Sequence, residues 1–194
     1  STWSAGGDMI VARHRLGGAG TEYAALGIGG WNNTDYYTCT EEYYGETWAA
    51  GGALSVARYA LGGAGVQNAA LAISGGTNWS TGGVLIIGRR NISTTGTQNS
   101  ALAAGGYTQS PVAVVTNTEE YDGTTWVVGG SMTTARKGGG VGGTQNGAFY
   151  AGGREGPSPY FSDCTEEYNG NAWSAGGALS TARYLSLGGN GTQT

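Results

Sequence analysis

The chain has 194 residues, 40 of them glycine, with 39% apolar and 11% charged residues and a formal net charge of −4. The apolar fraction excludes a disordered chain, and only 3 prolines without a Gly-X-Y period exclude collagen. With Lys137 as its only lysine it builds no basic stripe for nucleic acid or anionic membrane, and no apolar run of about 18 residues offers membrane insertion.

Tryptophans set the register. Trp3, Trp48, Trp79, Trp126 and Trp173 follow one another at spacings of 45, 31, 47 and 47, and a unit begins near each, within a single repeat domain spanning residues 1–194. After each Trp comes Gly-Gly, then a segment led by Arg13, Arg58, Arg89 or Arg90, Arg136 or Arg183. A glycine turn follows, often spelled Gly-Thr-Gln, as at Gly96-Thr97-Gln98 and Gly143-Thr144-Gln145. A small apolar run then closes on a second Gly-Gly: Ala24–Gly30, Ala69–Gly76, Ser100–Gly106 and Gly147–Gly153. Last comes Thr-Glu-Glu-Tyr, which opens three gapless twenty-residue copies at Thr40–Tyr59, Thr118–Lys137 and Thr165–Tyr184.

These segments read as strands, because they are short, hold Tyr, Trp, Thr, Val and Ile, and are punctuated by glycine. Helix is the rival for the alanine-rich run Ala53–Leu61, but Gly-Gly pairs flank it. Asn169-Gly170, Asp122-Gly123 and, with a poorer first residue, Tyr44-Gly45 predict two-residue type I′ hairpins that make the Glu-Glu-Tyr and Trp strands antiparallel neighbours. In the Gly-Gly-terminated runs, period two puts Leu26 and Ile28 on one face and Ala25 and Gly27 on the other; Leu71 and Ile73 likewise oppose Ala70 and Ala72. One face is bulky and one flat, both apolar and so both covered, and such sheets nest radially into a propeller.

The second unit is short. Only Thr77 and Asn78 separate Gly76 from Trp79, which predicts a blade around residues 58–82 lacking one strand, with a tight turn across the gap. Trp3 stands at the end of a repeat and Thr194 falls in mid-repeat. Three expectations stay open: an excerpt from a longer array, loose strands that close the ring on each other, or strands that pair with another copy. Cys39 and Cys164 occupy equivalent positions of different repeats, too far apart for a disulfide, which needs α-carbons within roughly 7 Å, so two free thiols are expected.

Gly-Gly, then a Tyr strand, then Trp after a short turn, at about 47 residues, resembles the kelch repeat. In kelch propellers Gly-Gly ends the second strand, Tyr sits in the third and Trp in the fourth. Gly29-Gly30, Tyr43 and Trp48 match that order, as do Gly152-Gly153, Tyr168 and Trp173, and the resemblance covers nearly the whole chain apart from the gap after Gly76. The Gly-rich stretches Gly62–Asn68, Gly96–Asn99 and Gly143–Asn146 look similar to kelch-like repeats in structural and tail proteins of marine bacteriophages. The resemblance implies an all-β, kelch-like propeller of about four blades of antiparallel strands, cut at both termini. It also implies a virion-surface or tail-fibre component, located on the virion or outside cells. Its partners would be other virion proteins, further copies of itself, or a host-surface glycan. A cellular or secreted lectin or protein-interaction propeller is the alternative.

Chemistry is sparse. Glu41-Glu42, Glu119-Glu120 and Glu166-Glu167 have the look of acid–base or calcium pairs, but an active site seldom occurs three times in one fold, and neighbours on a strand face opposite ways. One Glu of each pair is instead expected to meet a repeat Arg, such as Arg58 or Arg136. The repeated Trp residues are expected in the core, each burying about 200 Å², worth at most about 5 kcal/mol. His14, the only histidine, stands between Arg13 and Arg15 and is expected to be exposed or at a strand edge; one histidine and two scattered cysteines build no triad and no common zinc site. Gly138–Gly143 spells a dinucleotide fingerprint with no helix after it. No catalytic residue, metal site or cofactor is expected, and the chain reads as a non-enzyme; a galactose-oxidase- or sialidase-type fragment is the remote alternative.

What does not repeat is the functional lead. The connections Trp31–Thr38, Tyr107–Asn117 and Arg154–Asp163 differ completely and supply the candidate ligand-binding residues Trp31, Tyr36, Tyr37, Tyr107, Arg154, Tyr160 and Phe161. Aromatics on variable loops over a rigid scaffold suit recognition. Alternatively they pack on one another and close the face.

Overall fold

The glycine-punctuated runs do form strands. A computed structural model describes residues 6–73, 83–156 and 160–184; they contain no helix, and Ala53–Leu61 leaves a strand at Ala53 and continues as irregular chain. The first sheet is a meander of β1 (Gly17–Gly20), β2 (Ala25–Ile28), β3 (Cys39–Tyr43) and β4 (Trp48–Ala53). The second unit contributes the hairpin β5 (Gly62–Val66) and β6 (Ala69–Ile73); its expected missing strand, with Trp79, lies outside the described residues, as does Trp3. The third sheet holds β7 (Ser93–Thr97), β8 (Ser100–Ala104), β11 (Thr118–Tyr121) and β12 (Trp126–Val128); the small hairpin β9 (Tyr107–Gln109) and β10 (Val112–Val114) is inserted in it. The fourth holds β13 (Gly140–Thr144), β14 (Gly147–Ala151), β15 (Cys164–Tyr168) and β16 (Trp173–Ala178). Every pairing within these sheets is antiparallel.

The leading strands β1, β5, β7 and β13 stand beside one another. Hydroxyls join them: Thr94 Oγ1 donates to the Gly63 carbonyl at 3.0 Å on one side, and Thr95 Oγ1 to the Gly143 carbonyl at 2.7 Å on the other. Strand β1 meets β5 through glycine alone, since a Cβ on Gly63 would lie 2.4 Å from the Gly18 carbonyl oxygen. All four strands line one cleft of about 240 Å³ whose walls carry Gly, Ala, Thr and Val.

The bulky and flat faces pack as period two predicts. Ala101 and Ala103 of β8 face Ala64, Ile73, Trp126 and Tyr121, whereas Leu102 and Ala104 face Ala148, Tyr150, Tyr168 and Trp173. All four β8 residues Ala101, Leu102, Ala103 and Ala104 are fully buried. The repeated tryptophans share one environment: Tyr43–Trp48, Tyr121–Trp126 and Tyr168–Trp173 rings lie 5.1, 5.1 and 5.0 Å apart. Trp126 and Trp173 are buried and Trp48 is half-buried.

One turn prediction is corrected. Tyr43 pairs with Trp48, Tyr121 with Trp126 and Tyr168 with Trp173, so four residues, not two, join these strands. Only Gly45, Gly123 and Gly170 have positive φ there, and their predecessors do not, so the turns are not type I′. The reason is side-chain competition. Asp122 Oδ1 accepts from the Thr124 and Thr125 amides, and Asn169 Oδ1 from those of Asn171 and Ala172, closing an Asx turn that a two-residue loop has no room for. Two-residue loops instead join the first and second strands of their sheets, at Gln67-Asn68, Gln98-Asn99 and Gln145-Asn146. There the Gln reaches across to the neighbouring sheet: Gln67 Nε2 donates to the Tyr43 carbonyl at 2.8 Å and Gln145 Nε2 to the Tyr121 carbonyl at 2.7 Å.

The Gly-Gly that follows β2, β8 and β14 needs two left-handed residues in succession. Gly29 and Gly30 have φ of 58° and 113°, Gly105 and Gly106 62° and 114°, and Gly152 and Gly153 63° and 101°. The second glycine donates its N–H at 2.8 Å to the carbonyl of the following unit's repeat Arg: Gly30 to Arg58, Gly106 to Arg136, Gly153 to Arg183. A Cβ on Gly105 would lie 2.3 Å from the Arg136 carbonyl oxygen, whereas one on Gly177 meets nothing within 4 Å. Gly105→Ala should therefore cost on the order of 2–3 kcal/mol in urea unfolding, and Gly177→Ala should stay within about 0.5 kcal/mol of the parent.

Candidate functional site

A meander sends its connections alternately to two ends. Short turns gather at one end; the second-to-third-strand connections and the sheet-to-sheet crossovers gather at the other, here called the loop end. What holds the loop end is a buried ion pair that occurs three times. Arg13 pairs with Glu41 at 2.9 Å, Arg89 with Glu119, and Arg136 with Glu166, all with buried side chains. In each case it is the first Glu of the pair that turns inward.

Each carboxylate also takes two backbone amides from the crossover that carries its arginine. Ile10 and Val11 donate to Glu41, Ile86 and Ile87 to Glu119, and Thr133 and Thr134 to Glu166. Arg136 further donates to the Gly152 and Cys164 carbonyls, and Arg89 to those of Gly105 and Ala103. The glutamates are thus saturated with donors, which is the geometry of a structural clamp. Of the two arginines named for this role, Arg136 takes it. Arg58 is buried, and its desolvated guanidinium has its pKa lowered.

The second Glu serves elsewhere. Glu120 accepts from the Tyr168 hydroxyl of the next sheet, and Glu42 from the Tyr44 hydroxyl. Burial, and then the hydrogen bond to Glu120, push the Tyr168 phenol up to about 12.

Around the loop end runs a belt of rings and cations. His14, exposed as one of the two sequence readings has it, pairs with Trp31 across an isolated antiparallel bridge, and Trp31 bridges on to Tyr36. Tyr36 stacks at 4.7 Å on Tyr59 of the next unit, and Arg15 lies 5.6 Å from the Trp31 ring. In the third unit Arg90 bridges to Tyr107; in the fourth Lys137 bridges to Arg154 and Arg154 to Phe161, which stacks on Tyr184. In these three units the residue after the repeat Arg therefore meets the residue after the Gly-Gly, a layer the sequence carries at fixed offsets but does not announce.

The seven predicted site residues all lie on this face, in two groups. Trp31, Tyr37, Tyr107 and Arg154 are half-buried: they build the belt, with Tyr37 accepting from Asn32 Nδ2 at 2.7 Å and lying 5.9 Å from Arg13. Tyr36, Tyr160 and Phe161 are 53%, 66% and 53% exposed. Packing and exposure thus coexist, and the first group positions the second.

Among the described residues no group of three His, Cys, Asp or Glu is placed to hold a metal ion. The two cysteines are free thiols, with Arg13 Nη1 2.8 Å from Cys39 Sγ. Among the described residues no helix is long and apolar enough to cross a membrane. No family model matches the chain, and no curated protein matches it.

Two outcomes follow for the clamp and its neighbour. Glu166→Gln, which leaves Arg136 buried without its counter-charge, should lower stability by about 3–5 kcal/mol in chemical unfolding, far more than Glu167→Gln on the exposed face of the same strand. Because the folded Tyr168 phenol titrates near 12 and the unfolded one near 10.0, its contribution is complete below pH 10 and is lost as the pH rises between those values. Urea midpoints of Tyr168→Phe should accordingly fall less steeply over that interval than those of the parent.

Proposed function

We propose that the chain is a non-enzymatic recognition and structural module, built as a kelch-like β-propeller of about four blades with one blade, around residues 58–82, short of a strand. The radial reading is supported by leading strands that stand side by side and line one cleft, and by sheets that pack bulky face to flat face. The resemblance of the Gly-rich turns to phage structural repeats supports a place on a virion surface or tail fibre, with a host-surface glycan as the ligand.

One observation carries the binding role: Tyr36, Tyr160 and Phe161 stay more than half exposed on connections whose bases are clamped by buried ion pairs and Gly-Gly ties. Exposed rings held on a rigid frame lose little conformational entropy on binding and offer flat apolar faces to the C–H faces of sugars. The glutamate pairs supply no catalytic dyad, since the inward Glu is saturated by arginine and amides and the outward one faces away from it.

The test is a glycan array with Tyr36→Ala/Tyr160→Ala/Phe161→Ala. Binding weaker by at least about tenfold, with an unchanged melting temperature, supports the face chosen here; unchanged binding refutes it. Copurification with phage particles separates the virion reading from a cellular lectin.

A further inference from the structure

The chain is acidic overall, yet its cations are not spread evenly. Arg13, Arg89 and Arg136 are consumed in the clamps and Arg58 is buried. The five that remain, Arg15, Arg90, Lys137, Arg154 and Arg183, all fall at the loop end. The short-turn end carries Glu22, Glu46 and Asp122, all exposed, and no Lys or Arg.

Two of these cations converge on one ring, and Arg154, whose guanidinium lies 5.9 Å from the Tyr184 ring, stands beside them. Lys137 Nζ lies 4.3 Å and the Arg90 guanidinium 5.1 Å from the centre of the same Tyr107 ring. Arg154 is backbone-paired to Lys137, its N–H donating to the Lys137 carbonyl at 2.9 Å and its carbonyl accepting from the Lys137 N–H at 3.1 Å. Among the described residues the ion pairs are those of the clamps, and none includes Arg90, Lys137 or Arg154. Gln109, with its amide oxygen toward Arg90, is a neutral partner, and Arg154 Nε is buried without an acceptor. Asp35, Glu155 and Asp163 share this end, but none pairs with the three cations. Like charges held this close disfavour one another: desolvation, then the Arg154 and Arg90 charges, lower the Lys137 pKa. An anion seated among them relieves that repulsion and gains charge-assisted hydrogen bonds. Exposed Phe161, bridged to Arg154, and Tyr160 beside it add flat apolar faces at the cluster's edge.

We propose that Arg90, Lys137 and Arg154 form an anion subsite of the loop end, and that the ligand is an acidic saccharide, its carboxylate or sulfate seated among the three cations and a sugar ring against Tyr160 or Phe161. This rests on the glycan-binding reading above and names the class of glycan. Cations beside exposed rings favour an acidic sugar over an acidic peptide, which needs the charges but has no use for the rings.

The test titrates the full chain with four probes: oligogalacturonate, heparin oligosaccharide, a neutral cello-oligosaccharide of matched length, and poly-glutamate. Either acidic saccharide should bind at least about tenfold more tightly than the neutral one, and the tighter of the two identifies carboxylate or sulfate. Lys137→Gln should weaken that binding by about tenfold, and Arg90→Gln/Lys137→Gln/Arg154→Gln should abolish it, while Arg183→Gln leaves it within about twofold. Raising salt from roughly 0.05 to 0.5 M should weaken it as well. If the triple variant does not fold, Lys137→Gln and the salt series decide. The proposal falls if the neutral probe binds equally well, if Lys137→Gln binds like the parent, or if poly-glutamate competes best. Neutral-sugar binding that depends on Tyr36, Tyr160 and Phe161 but not on the cations removes the subsite and leaves the recognition face standing; no saccharide bound at all removes both.

Discussion

The fold depends on a carboxylate that is buried and completely satisfied. Glu41, Glu119 and Glu166 are each about 2% exposed or less. An isolated carboxylate in such surroundings would be strongly disfavoured, and only the joint supply of a guanidinium and two amides makes it tolerable. The amides come from the crossover between sheets, so the ion pair is a device for register. A crossover displaced by one residue would present a side chain where the carboxylate needs an N–H. Hydrophobic packing alone would not exclude that slip in a chain whose commonest apolar residue is alanine.

The rest of the repeated frame supports this clamp. The tyrosine that follows each Glu pair packs its ring, tilted, against the tryptophan across the turn. In the fourth unit that tryptophan donates from Nε1 to Thr118 of the preceding sheet at 2.9 Å, and Tyr168 reaches Glu120 there as well. One four-residue motif thus serves its own sheet with its first Glu and its Tyr, and the neighbouring sheet with its Thr and second Glu. Glutamine side chains at the short turns and Gly-Gly amides at the loop end add further ties between sheets, mostly to backbone carbonyls. Backbone acceptors are present whatever the side chain, so units of different composition dock by the same contacts.

The strands, their antiparallel order and the lopsided faces were readable because they follow from period two and from glycine punctuation. The ion pair was readable as a class, and Arg136 was assigned correctly; which Glu turns inward was not, because a Glu-Glu dipeptide is symmetric until the pleat is fixed. The Asn-Gly and Asp-Gly turns misled because those residues favour both the type I′ hairpin and the Asx turn, and the distance to Trp decides between them. The candidate loop residues were chosen through their failure to repeat. Arg90 and Lys137, proposed above for the anion subsite, were not among them, because they are hidden inside the repeated frame itself. Arg90 follows a clamp arginine, so it reads as a duplicate of Arg89; its different fate, outward against Tyr107, depends on alternate residues facing opposite ways.

The same constraint favours the loop end over the cleft between the leading strands as the place for the proposed recognition. The cleft is walled by glycine, alanine, threonine and valine, and Thr94 and Thr95 already spend their hydroxyls joining neighbouring strands. Substitution there meets backbone at once, as the 2.4 Å approach to Gly63 illustrates, so the cleft has no freedom to acquire chemistry. At the loop end the connections are anchored at their bases by the Gly-Gly amide and the clamp, and along the belt by single bridges and ring contacts. Beyond those anchors their length and sequence differ, as the hairpin of β9 and β10 and the irregular chain between β2 and β3 demonstrate. A scaffold whose contacts are so largely fixed by backbone geometry concentrates its variation, and with it its binding chemistry, in the segments that the geometry leaves free.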